Sequence, residues 1–193
     1  MNKELEPASK SLKRDEMIKY AYDLFYKNGF HATGVDTIAE GTGISKRTLY
    51  KHFTSKEGLI VATIDYYHAM RYETISGYLK KSTLKNPVEK ILVLFDFLAE
   101  LVDSGMLDGC FAMNAKTEYA NKAREIEAAY EAYVAAVQQL IELYLEEGNV
   151  TNSKSAAIQV VMLFEGAIIR SKATGNSQSV RLAKEAAKLI CNQ

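Results

Sequence analysis

Cysteine and proline are nearly missing from this chain: it has only Cys110, Cys191, Pro7 and Pro87. Two cysteines so far apart in sequence argue against a disulfide-stapled scaffold. Scarce proline beside plentiful Ala, Leu, Glu and Lys favours helix over strand. No apolar run approaches the roughly 18 residues of a membrane span. The N-terminal MNKELEPASKSLKRDEM lacks the apolar stretch of a secretory signal. A cytoplasmic protein that does not enter a membrane is therefore expected. Strand-like alternation persists nowhere, and there is no internal repeat or low-complexity segment. Also missing are the P-loop, G-x-S-x-G, H-E-x-x-H and C-x-x-C patterns. The three histidines, His31, His52 and His68, are scattered. Neither catalysis, a metal site nor a cofactor is expected.

Net charge is zero over the 193 residues, but it is unevenly placed. Residues 1–56 hold 10 Lys/Arg against 7 Asp/Glu, whereas residues 57–193 hold 14 against 17. Segment 44–56, ISKRTLYKHFTSK, has four cations and no acid. Such a basic patch is either a solvated face or a footprint for phosphate.

Periodicity predicts helices almost throughout. After a polar tail over 1–12, Met17, Ile18, Ala21, Leu24 and Phe25 form an apolar stripe on a first helix over about 13–28, stopped at Asn28-Gly29. Thr33-x-x-Asp36 resembles a capping box opening a short helix, which Gly41-Thr42-Gly43 ends. Ser45 is placed to cap the next helix, about 46–53. Thr54-x-x-Glu57 reads as the start signal of a long helix to Lys81. Further helices are expected over 87–103, 111–120, 122–147, 153–174 and 178–191. The fold class is all-α, about nine helices: an N-terminal three-helix bundle with a helix-turn-helix, then a larger helical ligand-binding and dimerisation domain. The boundary falls at 13–60 and 61–193.

Two short helices joined by a glycine-containing turn make a helix-turn-helix, whose second helix lies in the DNA major groove. At about 100° per residue, Leu49 and Phe53 face inward and Arg47 and Lys51 nearly opposite, flanked by Thr48 and Tyr50. Two cations, a hydroxyl and a phenol suit phosphates and base edges.

Residues 33–58, TGVDTIAEGTGISKRTLYKHFTSKEG, strongly resemble the DNA-binding signature of TetR/AcrR-family regulators. The match falls on Thr33, Val35, Ile38, Ala39, Gly43, Ile44, Ser45, Leu49, Tyr50, His52, Phe53, Lys56, Glu57 and Leu59, with Phe25, Gly29 and Phe30 fitting the helix before. The resemblance implies phosphate contacts at Thr33 and Lys56 and a recognition set of Ser45, Lys46, Thr48, Tyr50 and His52. The face argument adds Arg47 and Lys51. Thr33 and Ser45 also read as caps. Beyond about residue 60 the resemblance rests on helix order. It implies a homodimer through about 153–174 and 178–191, a palindromic double-stranded operator with half-sites about 34 Å or a multiple apart, and repression relieved by a small-molecule effector.

Most of the tyrosines lie beyond residue 60. Tyr66, Met70, Phe95, Cys110, Phe111, Met113, Tyr130, Tyr133 and Phe164 are either ordinary core or the lining of an effector cavity between helices. Gly109-Cys110 opening a short helix resembles a feature of a family branch that includes electrophile-responsive members. A thiol sensor at Cys110 is therefore one alternative. A regulator controlled by a partner protein is another.

Overall fold

The computed structural model describes residues 6–107 and 109–192, with side chains from residue 13 onward. Among these residues the chain forms nine helices and no strand: α1 (Glu6–Asn28), α2 (Val35–Thr42), α3 (Lys46–Phe53), α4 (Lys56–Lys81), α5 (Pro87–Asp103), α6 (Phe111–Glu118), α7 (Arg124–Glu147), α8 (Ser153–Thr174) and α9 (Gln178–Cys191). None is long and apolar enough to cross a membrane. The polar tail expected over 1–12 is already helical from Glu6; residues 1–5 of that expectation lie outside the described residues. Pro7 sits in the first turn of α1, where its missing N–H leaves no helical bond unmade. The apolar stripe thus marks the packed part of α1 rather than its length.

Two further start signals resolve differently from their sequence reading. The N-cap of α2 is Gly34, which makes no side-chain capping bond. The Thr33 hydroxyl instead donates back to the Gly29 carbonyl at 2.8 Å, closing the turn after α1. At the start of α4 the capping oxygen comes from Ser55, which accepts the Gly58 N–H at 2.9 Å. Thr54 cannot serve, because its φ of 65° is committed to ending α3 and an N-cap needs extended backbone. Asn86 caps α5 as its type suggests, accepting the N–H groups of Val88 and Glu89 with Pro87 at the first helical position.

The chain divides into two compact units. The first runs to Ala69 and adds Phe111–Glu131. Its buried side chains include Met17, Phe25, Ile38, Leu49, Leu59, Ile60, Ile64 and Ile126. Phe111, at the start of α6, is fully buried. Its ring lies 4.7 Å from that of Tyr22 and 4.9 Å from that of Phe30. Burying a side chain of this size contributes roughly 1.5–3 kcal/mol, so Phe111 is a principal anchor of α6 on α1.

The second unit comprises Met70–Cys110 and Ala132 to the C-terminus. There α8 packs chiefly on α9, and α9 on α5. Ala156, Ala157, Ala167, Ala183 and Ala187 are buried in its core; small side chains let helix axes approach closely. Phe95 of α5 stacks on Phe164 of α8, centroids 3.9 Å apart. Two ion pairs tie α9 to α5: Lys184 to Asp96 at 2.6 Å and Arg181 to Asp103 at 3.0 Å. Ser177, just before α9, also donates to Asp103 at 2.7 Å. On the outer side, Met162 and Ile169 of α8 and Leu182 and Leu189 of α9 are each more than half exposed.

Candidate nucleic-acid interface

Helix α3 is held by two inward side chains. Leu49 is fully buried and Phe53 nearly so, while Lys46, Arg47, Tyr50 and Lys51 are exposed. Thr48 and His52 are half-buried beside that face. The separation of roles follows from helical spacing: residues 49 and 53 are i,i+4 neighbours on one side, so 47 and 51 stand away from it. The Arg14 guanidinium of α1 lies over the Phe53 ring, 5.3 Å from its centroid, and covers the C-terminal end of α3.

Local bonds fix the ends of this helix. The Ser45 side chain accepts the Thr48 N–H at 3.2 Å and shares a hydroxyl–hydroxyl bond of 2.9 Å with Thr48. Ser45 therefore caps, and stays exposed while doing so. Lys46 forms an ion pair with Asp36 of α2, both side chains being more than half exposed. The step from α3 into α4 is very tight. A Cβ on Gly58 would lie 2.1 Å from the Phe53 carbonyl oxygen, so only glycine fits without moving backbone.

Lys56, in the first turn of α4, is half-buried. Burial pushes its ammonium below the usual lysine range, and the charges of Glu57 and Glu118 partly restore it. Tyr119 shifts the other way: burial, then the same two carboxylates, push its phenol up.

Thr33 requires a correction. The resemblance gives it a phosphate contact and its sequence position a capping role. Its side chain is only 2% exposed and its hydroxyl is used by the Gly29 carbonyl. It does not cap α2; its hydroxyl braces the turn.

Two residues that sequence reasoning passed over hold the same turn. The Glu118 carboxylate, at the end of α6, accepts the backbone N–H groups of Phe30 at 3.2 Å and His31 at 2.8 Å. The His31 ring nitrogen Nε2 lies 2.8 Å from the Glu118 carbonyl oxygen, to which it donates. No local motif signals this pairing, because the partners lie 87 and 88 positions apart.

The residues suggested for an effector cavity fall in both compact units. Tyr66, Phe111, Met113 and Tyr130 belong to the first unit; Met70, Phe95, Cys110, Tyr133 and Phe164 belong to the second. Phe111 and Phe95 are core, and Phe164, stacked on Phe95, is partly buried against it. Tyr130 lies under the Lys116 ammonium, 4.6 Å from its ring centroid. Tyr66 lines a surface groove of about 640 Å³ with Arg14, Asp15, Lys19, Ala62 and Asp65. Cys110 is buried; Asp108, two positions earlier in the sequence, lies outside the described residues.

Comparison with known proteins agrees with this geometry. Residues 18–63 match the family model of bacterial regulatory proteins, tetR family. Residues 87–186 match that of the transcriptional regulator LmrA/YxaF-like C-terminal domain. The uncharacterized HTH-type transcriptional regulator YerO of Bacillus subtilis (strain 168) is 37% identical over 83 residues, 39% of this chain and 29% of YerO. The HTH-type transcriptional repressor ComR of Escherichia coli (strain K12) is 43% identical over 54 residues, 28% of this chain and 26% of ComR. The chain thus spans less than a third of the length of these two relatives. Among solved structures, the reduced form of E. coli NemR superposes with a TM-score of 0.83 at 20% identity, covering 92% of this chain and 96% of that one. A TetR-family regulator from Cytophaga hutchinsonii gives 0.84 at 19% identity, covering 98% and 97%. With the second model spanning more than half of its residues and the first covering its helix-turn-helix, the chain belongs to the TetR family of bacterial transcriptional regulators.

Proposed function

We propose that this protein is a cytoplasmic, homodimeric repressor that binds a palindromic double-stranded operator through α3 and is released from it by a small-molecule effector. The observation that carries the DNA-binding reading is the face of α3. Buried Leu49 and Phe53 fix the helix so that Arg47, Tyr50 and Lys51 stand outward with Lys46 beside them. Ser45, Thr48, His52 and Lys56 flank that face and complete the contact set. Arg47 and Tyr50 are the base-edge readers in this reading; Lys46, Lys51 and Lys56 meet phosphates. Thr33 is excluded.

By chain position, 13–60 is the DNA-binding domain and 61–193 the regulatory and dimerisation domain, although α6 packs with the first compact unit. Dimerisation is supported by the exposed apolar side chains of α8 and α9, which a second copy would cover by two-fold symmetry. The effector acts by binding more tightly to a conformation whose two recognition helices are wrongly spaced for DNA.

The test is selection of duplexes from a random library by the purified protein, followed by binding isotherms at several salt concentrations. A palindromic consensus and a steep salt dependence are expected. Tyr50→Ala with Lys51→Ala should weaken binding by tenfold or more, at about 1–3 kcal/mol per specific contact, and flatten the salt slope. An unchanged affinity and slope in a folded double variant would refute the assigned face.

A further inference from the structure

The turn between α1 and α2 is held from outside the N-terminal helices. Gly29 ends α1 with φ +83°, a backbone conformation suited to glycine. This geometry directs the next two N–H groups, those of Phe30 and His31, toward one carboxylate. Glu118 accepts both, one on each oxygen, at 3.2 and 2.8 Å. A Cβ at position 29 would stand 3.3 Å from the same carboxylate, so the glycine also leaves it room.

The contact is reciprocal. His31 donates through Nε2 to the Glu118 carbonyl, and its ring stacks on Tyr119 with centroids 4.7 Å apart. Three hydrogen bonds and a ring stack therefore join a two-residue turn to the C-terminal end of α6. The other end of that eight-residue helix is anchored by Phe111 against Tyr22 and Phe30. The pinned turn leads directly into α2, the helix that braces α3. Two of the three bonds go to a carboxylate, and charge-assisted bonds are stronger than neutral ones; the Phe30 bond is part-buried and the two His31 bonds are exposed.

We infer that Glu118 and His31 are positioning residues for DNA reading, which makes the segment from Phe111 to Tyr119 a working part of the DNA-binding unit. The inference rests on the function proposed above. Neither residue faces DNA in this scheme; both act through the turn that sets where α2 and α3 lie. A displacement of α6 and a displacement of the turn are then linked. Linkage is reciprocal: operator held by α3 must in turn steady α6.

The experiment compares wild-type protein with Glu118→Ala and Glu118→Gln, both without DNA and with a duplex selected by the wild type. Without DNA, amide hydrogen exchange at Phe30 and His31 should be slow in the wild type and faster in Glu118→Ala. Glu118→Gln should be intermediate, because one amide oxygen can replace only one of two carboxylate oxygens. Operator affinity should fall about tenfold in Glu118→Ala, within the usual range of coupling between sites. Operator should slow exchange across 111–119 in the wild type but not in Glu118→Ala, a readout that a merely stabilising role would leave alone. Equal exchange at Phe30 and His31 in all three proteins overturns the inference. So does equal operator affinity with equal protection of 111–119. If Glu118→Ala does not fold, His31→Ala tests the other half of the contact: it removes the ring-to-carbonyl bond and the stack and keeps both amide bonds, and unchanged operator affinity with unchanged protection of 111–119 overturns the inference. A wild-type protein that selects no duplex refutes the DNA-binding reading itself, whereas the pin is judged separately by the DNA-free exchange.

Discussion

The Lys46 ammonium is paired with the Asp36 carboxylate, so a cation of the recognition helix is partly neutralised by an acid on the helix that braces it. Both side chains are more than half exposed, and exposed pairs of this kind contribute only about 0–1 kcal/mol. Phosphate can therefore displace Asp36 at little cost. Asp36→Asn should tighten operator binding severalfold at low salt, with the gain shrinking as salt screens the removed charge. Fluorescence anisotropy with labelled operator measures this. A weakened complex would mean that the pair organises α3 rather than competing for Lys46.

Gly58→Ala sets two effects against each other. Alanine is favoured over glycine inside a helix by about 1 kcal/mol. The added Cβ, however, would stand 2.1 Å from the Phe53 carbonyl oxygen, which is backbone and cannot rotate away. Forced overpacking costs typically 1–3 kcal/mol, so the clash wins. The variant should unfold at lower temperature and bind operator less tightly, because the strain falls on the last turn of α3. Thermal denaturation and anisotropy on the same sample check both statements.

Leu182→Glu combined with Leu189→Glu should give a monomer. Both side chains are exposed on α9, about two-thirds of their surface being free. A carboxylate buried without a partner at a two-fold interface is strongly unfavourable, and symmetry doubles the penalty. Light scattering should report half the wild-type mass, with helicity retained. Operator affinity should fall by orders of magnitude, since one half-site alone is then held. A dimer of unchanged mass would move the interface elsewhere.

Asp103 gives a pH signature. The Ser177 hydroxyl and then the Arg181 guanidinium hold its carboxyl below the usual aspartate range. A depressed folded-state pKa contributes stability that is fully present above the unfolded value, near 3.9, and is lost as pH falls through the folded value. The stability difference between wild type and Asp103→Asn should therefore be constant at neutral pH and shrink only below about pH 4. Denaturant titrations across that range, with carboxyl NMR to follow Asp103, measure it.

Much of the architecture was legible in the residues. The bounds of α8 and α9 agree with expectation to the residue, because Gly148-Asn149 and Gly175-Asn176 punctuate a strongly apolar stretch. The orientation of α3 followed from Leu49 and Phe53 alone. Local signals failed where a residue had two possible tasks. Thr33 has the right type for a cap, but its hydroxyl serves the preceding turn. Thr54 likewise yields to Ser55, because its own backbone is needed in the left-handed region. Glu118 shows a different kind of failure. Its meaning lies wholly in two N–H groups almost half the chain away, and no periodicity or capping rule relates such positions.

The placement of Phe111–Glu131 beside the N-terminal helices also bears on how such proteins are made and recombined. During synthesis, the first 69 residues emerge while the segment that completes their packing is still to be translated. The N-terminal helices must wait for α6 before Phe30 meets Phe111 and the amides of Phe30 and His31 find Glu118. The same holds for a chimaera. Residues 13–60 transplanted onto a foreign body would carry their recognition helix with them and leave behind the carboxylate that holds its approach.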